Sequence, residues 1–418
     1  MQLERFRSYS KNIQSILVWN ILFCFGLGIH LVLYNLYLEG IVQDDAMIGK
    51  IIGLNFLAQA LIYIPAGLFS DRVGSKKGVI VGVILFTIAL VGNLFASTPD
   101  SLSFWGFMIG IGHAASIVTF VPLLTEYSNS EEKKNLFTFA FSTGTLFTFL
   151  GTLLGGIFSD GFQTIFDITQ TESMRLTLGF TILIFVFCLI PLLFVKKNAL
   201  NVSSKKQTSI FSIIKNKPGV LLPLMKFSTS KVFAGVSLGI ISPFLNLFFM
   251  HKFSLTPSNI SFVLAAGTLA TVIFMSYNSK ITNRISEVKT VSLYHLISIP
   301  AIILLGWTQS IWIAIVAFII FRSANFGLNP IVSKLMMDGV DQEIRGLTNS
   351  FGFMAQSICI SLLGPISMYI VQIAGTEKGY FLLCLISAAG SLIAGVYFLY
   401  AFGQKKNQLV GKMENQPV

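Results

Sequence analysis

The sequence predicts an all-α membrane protein whose chain crosses the bilayer twelve times, in two six-helix bundles related by a parallel repeat. Three observations carry this. Apolar windows of membrane-crossing length recur along the whole chain, basic residues gather in every second loop, and local patterns of the first half return in the second. Only 11% of the 418 residues are charged, against 54% hydrophobic, and phenylalanine alone occurs 39 times. A soluble domain carries roughly 25% charged residues. This chain has too few to cover a water-facing surface, so its exterior has to face lipid.

Apolar windows of ~20 residues mark the spans in order. The first, 15–38, follows the basic Arg5, Arg7 and Lys11, and is too long and too plainly part of a repeating series to be a cleavable signal. The second, 47–69, stops at Asp71 and Arg72, and the third, 78–97, starts behind Lys76 and Lys77. The fourth covers 102–124. The fifth, 135–159, follows Lys133 and Lys134, and the sixth, 174–195, closes on Lys196 and Lys197. The seventh, 220–249, opens after a basic stretch ending in Lys215 and Lys217, and the eighth, 257–277, precedes Lys280 and Arg284. The ninth, 290–308, follows Lys289 and is parted from the tenth, 310–336, only by Thr308-Gln309-Ser310. The eleventh, 347–371, follows Arg345, and the twelfth, 379–402, precedes Lys405 and Lys406.

These basic residues all fall on the face that carries both termini, whereas the opposite loops hold only Lys50, Arg175, Lys252 and Lys378. Positive charge stays in the cytoplasm, so both termini are expected there, in a multi-pass protein of the plasma (inner) membrane. The net charge of +11 is thus spent on topology, not on nucleic acid. Cys24, Cys188, Cys359 and Cys384 lie inside apolar segments without paired spacing, which argues against a disulfide framework or a zinc site. The longest polar connection divides the chain into an N-terminal bundle (1–196), a linker (197–218) and a C-terminal bundle (219–418). Within the linker, 209–214 is amphipathic and suits the membrane surface; a solvated tether is the plainer reading.

The halves repeat. Tyr34-Asn35-Leu36-Tyr37-Leu38 matches Leu245-Asn246-Leu247-Phe248-Phe249, and Asp71-Arg72-Val73-Gly74 falls opposite Asn283-Arg284-Ile285-Ser286. Two like-oriented bundles form an architecture in which solute binds near the midplane, between repeats. Gly67-Leu68-Phe69-Ser70-Asp71-Arg72-Val73-Gly74-Ser75-Lys76 resembles the signature Gly-x-Leu-Ala-Asp-Arg-x-Gly-Arg-Lys of the major facilitator superfamily. Gly67, Asp71, Arg72, Gly74 and Lys76 match, while Phe69, Ser70 and Ser75 depart. The resemblance implies the major facilitator fold and a gate latch at this motif. Independently of it, Gly67 suits close helix contact, Gly74 a tight turn, and Asp71 the positive N-terminus of a helix starting near Gly346–Thr348. A basic loop on anionic lipid explains Lys76 and Lys77 but not Asp71 or the glycines. The second copy has lost its acid to Asn283 and its glycine to Ser286. Gly151-x-x-x-Gly155-Gly156 resembles the family's antiporter stretch without its proline. Gly106 stands where the proton-coupling arginine of drug antiporters would be, against a standard proton-driven multidrug mechanism.

Ionisable groups at bilayer depth are costly and point to function. The acids Glu39, Glu126, Asp160 and Asp338 sit at span ends. His30, His113, Lys231 and Arg322 lie inside the first, fourth, seventh and tenth spans, which the resemblance places around a central cavity. His30, Tyr34 and Tyr37 share one helical face and suit a partly polar cavity wall; Asn246 and Asn325 join the set, Asn325 and Asn329 on the face of Arg322. Each has a plainer alternative: interhelical hydrogen bonding for His30, packing for His113, snorkelling for Lys231.

An aromatic, basic, acid-free cavity suits a small organic anion or an anionic amphiphile. Outward movement of a monovalent anion is favoured by ~2.3 kcal/mol per 100 mV, inside negative. Export is therefore the preferred direction; uptake would need a coupling ion such as the proton, carried by His30 or His113. The expected function is secondary active transport by alternating access, as a monomer in the bilayer, with a small-molecule substrate. The alternatives are a polyspecific drug/proton antiporter and, from another class, a sensor or assembly subunit without flux. Catalysis is not expected: the sequence offers no metal-ligand set, nucleophile triad or phosphate-binding loop, and no cofactor or metal is implied.

Overall fold

The computed structural model describes residues 6–128, 133–196, 221–340 and 345–403. The described chain is helical throughout, without strands, and holds twelve helical segments long and apolar enough to cross a membrane. The linker expected at 197–218 and its amphipathic piece lie outside the described residues. The spans overrun their apolar windows, because polar residues at the ends cap the helices. Asp44 accepts a hydrogen bond from the Met47 amide at 3.2 Å and opens Asp45–Val73. Thr98 accepts from the Ser101 amide, with Pro99 in the first turn of Pro99–Glu126, and Thr169 and Glu172 form a reciprocal capping box at Gln170–Phe187. Such caps satisfy amide groups that have no partner inside the helix.

Three windows that read as single spans are each two helices; the sixth breaks at Cys188, between Gln170–Phe187 and Leu189–Phe194. The seventh runs as Leu221–Gly239, a short 3-10 turn at Ser242–Phe244, and Leu245–Phe253. Pro243 has no amide proton to continue the ladder, and the carbonyl set free at the break receives Asn35 Nδ2 at 2.6 Å. The tenth breaks at Leu328, between Ile311–Gly327 and Asn329–Gly339. There Asn278 Nδ2 donates to the Gly327 carbonyl at 2.8 Å, while Tyr294 Oη donates to Asn278 Oδ1. Irregular backbone at membrane depth persists where side chains satisfy it in this way. The break between ninth and tenth spans falls as expected, at Trp307 and Ile311. Trp307 and Trp312, flanking it, are largely exposed, as interfacial aromatic anchors are.

By internal contacts the chain forms two units. The first joins the first six spans to Pro243–Ala266 and Ser361–Thr376. Its core is aromatic: Trp19 packs on Phe23 and Phe120, and Phe185 sits edge-on to both Phe23 and Phe86. Within it the fifth and eighth spans approach so closely that a side chain at Gly156 would strike the Pro257 backbone and Ser261. The second unit holds Gly267–Ile360, the first part of the seventh span and the twelfth span. Its core packs Phe227 and Phe398 on Phe402, and a hydroxyl chain links Ser237, Ser391 and Ser298 at 2.6 and 3.0 Å.

The repeat is visible in the backbone. Gly74 ends the second span at φ 100°, ψ 139°, and Ser286 ends Asn278–Ile285 at φ 74°, ψ 156°. The two copies make the same turn, once with glycine and once without.

Candidate functional site

A cavity of about 300 Å³ opens inside the second unit. Five spans build it. The seventh supplies Lys231, the ninth His295, the tenth Asn325, the eleventh Gln356 and the twelfth Phe398, with Phe227 and Val332 among the apolar walls. No carboxylate is among the lining residues. Lys231 makes no hydrogen bond or ion pair to any described residue. His295 is 4% exposed, and its Nδ1 has no hydrogen-bond partner. Asn325 is similarly buried; its Nδ2 donates to the Phe321 carbonyl at 3.0 Å and its Oδ1 is left over. A buried pocket lined by an ammonium, an imidazole and spare amide groups favours a ligand with an anionic end and an apolar body.

Of the expected site residues, the structure brings Lys231 and Asn325 to this cavity. Arg322 stands apart from its lining. Its guanidinium lies 5.0 Å from the Phe326 ring centroid, and Nη2 donates to Thr268 Oγ1 at 3.2 Å. Its Nε is buried without an acceptor, and no described carboxylate pairs with it. His295 lies on the ninth span, which the resemblance does not place around the centre, so nothing in the sequence singles it out.

The first-span face is packed with side chains of the third span. His30 stacks on Tyr34 at 4.7 Å, and Phe86 of the third span lies 5.9 Å from the rings of both His30 and His113. Asn93 Nδ2 donates to Tyr34 Oη at 3.3 Å, and Tyr37 Oη donates to the Leu94 carbonyl at 3.4 Å. The tyrosine hydroxyls thus find partners on the third span, and the face packs into the first unit. The same packing accounts for Gly106, where a side chain would meet Ile51 Cγ2 at 2.9 Å and Tyr34 Oη at 3.4 Å.

Asn246 is held by a hydrogen-bonded pairing with the first span. Asn35 Nδ2 donates to Asn246 Oδ1 at 3.2 Å and to the Pro243 carbonyl, and Asn246 Nδ2 donates to the Val32 carbonyl at 3.0 Å. Each asparagine reaches the carbonyl three positions before the other, so the matched residues of the repeat clasp one another reciprocally. Nearby, Asp160 Oδ2 accepts from the Ser258 amide at 3.0 Å.

In the signature stretch, Gly74 makes the expected turn. Among the described residues, nothing lies within 4 Å of where a Cβ at Gly67 would stand. Lys76 Nζ donates to the Val195 carbonyl at 2.7 Å and so caps the end of the sixth span. Arg72 lies in the last turn of the second span. The side chain of Asp71 and residues 341–344 lie outside what the structure describes, and with them the expected latch.

A further group was invisible in the sequence. Glu39 ends the first span, Asp45 starts the second, and His251 lies at the end of the seventh. Their ligand atoms all fall within 4.8 Å of one another. Only folding joins residues so distant in the chain.

Comparison with known proteins gives the context. The profile of the Major Facilitator Superfamily matches residues 16–233 and 227–418. The multidrug resistance protein MdtG of Salmonella typhi is 24% identical over 317 residues, covering 72% of this chain and 73% of that protein. Multidrug resistance protein 2 of Bacillus subtilis (strain 168) is 23% identical over 295 residues, covering 68% and 70%. The inner membrane transport protein YajR of Escherichia coli (strain K12) is 31% identical over 109 residues, which span 25% of this chain and 22% of that protein. Among solved structures, the nucleoside transporter NupG superposes with a TM-score of 0.73 at 15% identity, covering 94% of this chain and 99% of that one. An inward-facing, unoccupied bacterial homolog of the human lysosomal transporter Spinster superposes with a TM-score of 0.71 at 16% identity, covering 95% and 97%.

Proposed function

The chain belongs to the Major Facilitator Superfamily, and we propose that within it this protein exports a small anionic or amphiphilic organic solute by alternating access. Transport by a multi-pass membrane protein is the activity of the family. The anionic preference and the outward direction are the present reading. One observation carries it: the cavity of about 300 Å³ whose lining includes Lys231 and His295 but no carboxylate. Pockets of ~300–1,000 Å³ hold ligands of drug size, so a carboxylate with an aromatic or alkyl body fits the dimensions and the polarity. The excess of basic residues on one face supports cytoplasmic termini. The bundle division 1–196, 197–218 and 219–418 and a monomeric state complete the proposal; Arg322, which does not line this cavity, joins as a cationic contact in another state of the alternating cycle.

The test is flux in proteoliposomes against matched amphiphiles that differ only in carrying a carboxylate, an amide or an amine. The carboxylate should move fastest, and Lys231→Gln should remove that preference. Equal movement of the cationic analogue in the parent and in Lys231→Gln would refute the anionic reading.

A second reading has its own support. MdtG of Salmonella typhi and multidrug resistance protein 2 of Bacillus subtilis carry names that suit a polyspecific drug/proton antiporter. In that case the amine analogue moves in exchange for protons, with His30 and His113 as carriers. A pH gradient alone should then drive it, which distinguishes the two.

A further inference from the structure

We propose that Glu39, Asp45 and His251 form a binding site for a divalent transition-metal ion of the zinc class, joining the ends of the first, second and seventh spans. His251 Nε2 lies 3.3 Å from Glu39 Oε1, and Nδ1 lies 4.0 Å from Asp45 Oδ1. Around a tetrahedral zinc ion with bonds of about 2.0–2.2 Å, neighbouring donors stand roughly 3.3–3.6 Å apart. The Glu39–His251 pair already has that separation. A single imidazole nitrogen binds a metal, so Nε2 is the donor, and the Asp45 carboxylate swings toward it about its own side-chain torsions.

The charges and the unmet acceptors ask for such an ion. Glu39 Oε2 and Asp45 Oδ1 are both shielded from solvent and receive no hydrogen bond. No described lysine or arginine pairs with either carboxylate; Lys252, next to His251, lies over the Phe248 and Phe253 rings instead. A metal takes the imidazole in its neutral form, releasing any proton it carries, and the two carboxylates then offer two negative charges to one divalent cation. Two oxygens and one nitrogen are too few ligands, and of the wrong kind, for calcium or magnesium, whereas imidazole suits zinc, copper or nickel. Three protein ligands leave a fourth position for water, as in open zinc sites. The side chains are 14–24% exposed, which gives the ion a path in. Nothing here depends on the transport reading, because none of the three ligands lines the cavity.

The experiment is a zinc titration of purified, chelator-stripped protein without a polyhistidine tag, in competition with a zinc-sensitive dye. One zinc per chain is expected, with calcium and magnesium unable to displace it at roughly hundredfold excess. Glu39→Gln, Asp45→Asn and His251→Ala should each weaken binding by about tenfold or more, while His295→Ala, in the cavity, should not. Absence of stoichiometric uptake overturns the proposal. So does adventitious zinc alone, seen as an affinity that none of the three variants changes. Should His251→Ala fail to fold, the nearly isosteric Glu39→Gln decides the matter.

Discussion

Ser286 should be a source of strain that glycine relieves. Its φ of 74° and ψ of 156° fall where side-chain-bearing residues are rarely found, and holding one there costs about 1–3 kcal/mol. The surroundings enforce the conformation. The Ser286 amide donates to the Thr282 carbonyl at 3.1 Å, while its own carbonyl accepts from the Thr290 amide at 3.0 Å and from Thr290 Oγ1 at 2.7 Å. Ser286→Gly releases the strain but gives the unfolded chain more freedom, a loss of roughly 0.5–1 kcal/mol. The net stabilisation is therefore about 0–2.5 kcal/mol, centred on roughly 1 kcal/mol. Gly74→Ser, at the matching turn of the first half, should destabilise by a similar amount. The assay is thermal unfolding in detergent at a single scan rate, where these variants should move the midpoint in opposite directions. Ser286→Ala is the control, because it removes the hydroxyl and keeps the Cβ. If alanine stabilises as much as glycine, the backbone argument is wrong and the serine hydroxyl is responsible.

Two further outcomes follow from the clasp and from the buried arginine. A double-mutant cycle on Asn35→Ala and Asn246→Ala should show a coupling of roughly 0.6–1.7 kcal/mol, the range of hydrogen bonds between membrane helices; strict additivity in unfolding midpoints would deny the pairing. Arg322→Lys keeps the charge but loses the flat guanidinium over Phe326. With an identified anionic substrate it should bind more weakly than the parent, and Arg322→Gln should lose the preference for anionic over neutral analogues. Parent-like affinity and charge preference in both variants, measured by equilibrium binding, would remove Arg322 from recognition.

Span positions were legible in the sequence because hydropathy is a local property and each loop carries its own polar caps. The breaks in the sixth, seventh and tenth spans were not, since no loop-length polar run or charge cluster marks them. Pro243 and Gly327-Leu328-Asn329-Pro330 were the signals available, and their meaning depends on Asn35 and Asn278 arriving from elsewhere. Side-chain direction fared worse. His30, Tyr34 and Tyr37 share a face by helical spacing, but whether that face meets a cavity or the third span depends on packing, which periodicity does not encode. His295 was hidden by its position on the ninth span. The group of Glu39, Asp45 and His251 was hidden by distance along the chain, and its two acids looked like ordinary span ends.

The reciprocal clasp of Asn35 and Asn246 has a consequence for how such a chain can arise. In it, residue i contacts residue j while j contacts i in the same way, which is the rule of an isologous interface in a homodimer. One asparagine, placed once on a single six-helix chain, would answer itself across a two-fold axis in a second copy. Fusing the copies removes the requirement that they stay identical. Gly74 can then remain while its counterpart becomes Ser286, and Asp71 while its counterpart becomes Asn283. A residue that touches its own counterpart is different: a change in either half loses the partner of the other. At Asn35 and Asn246, two genes' worth of sequence still behaves as one.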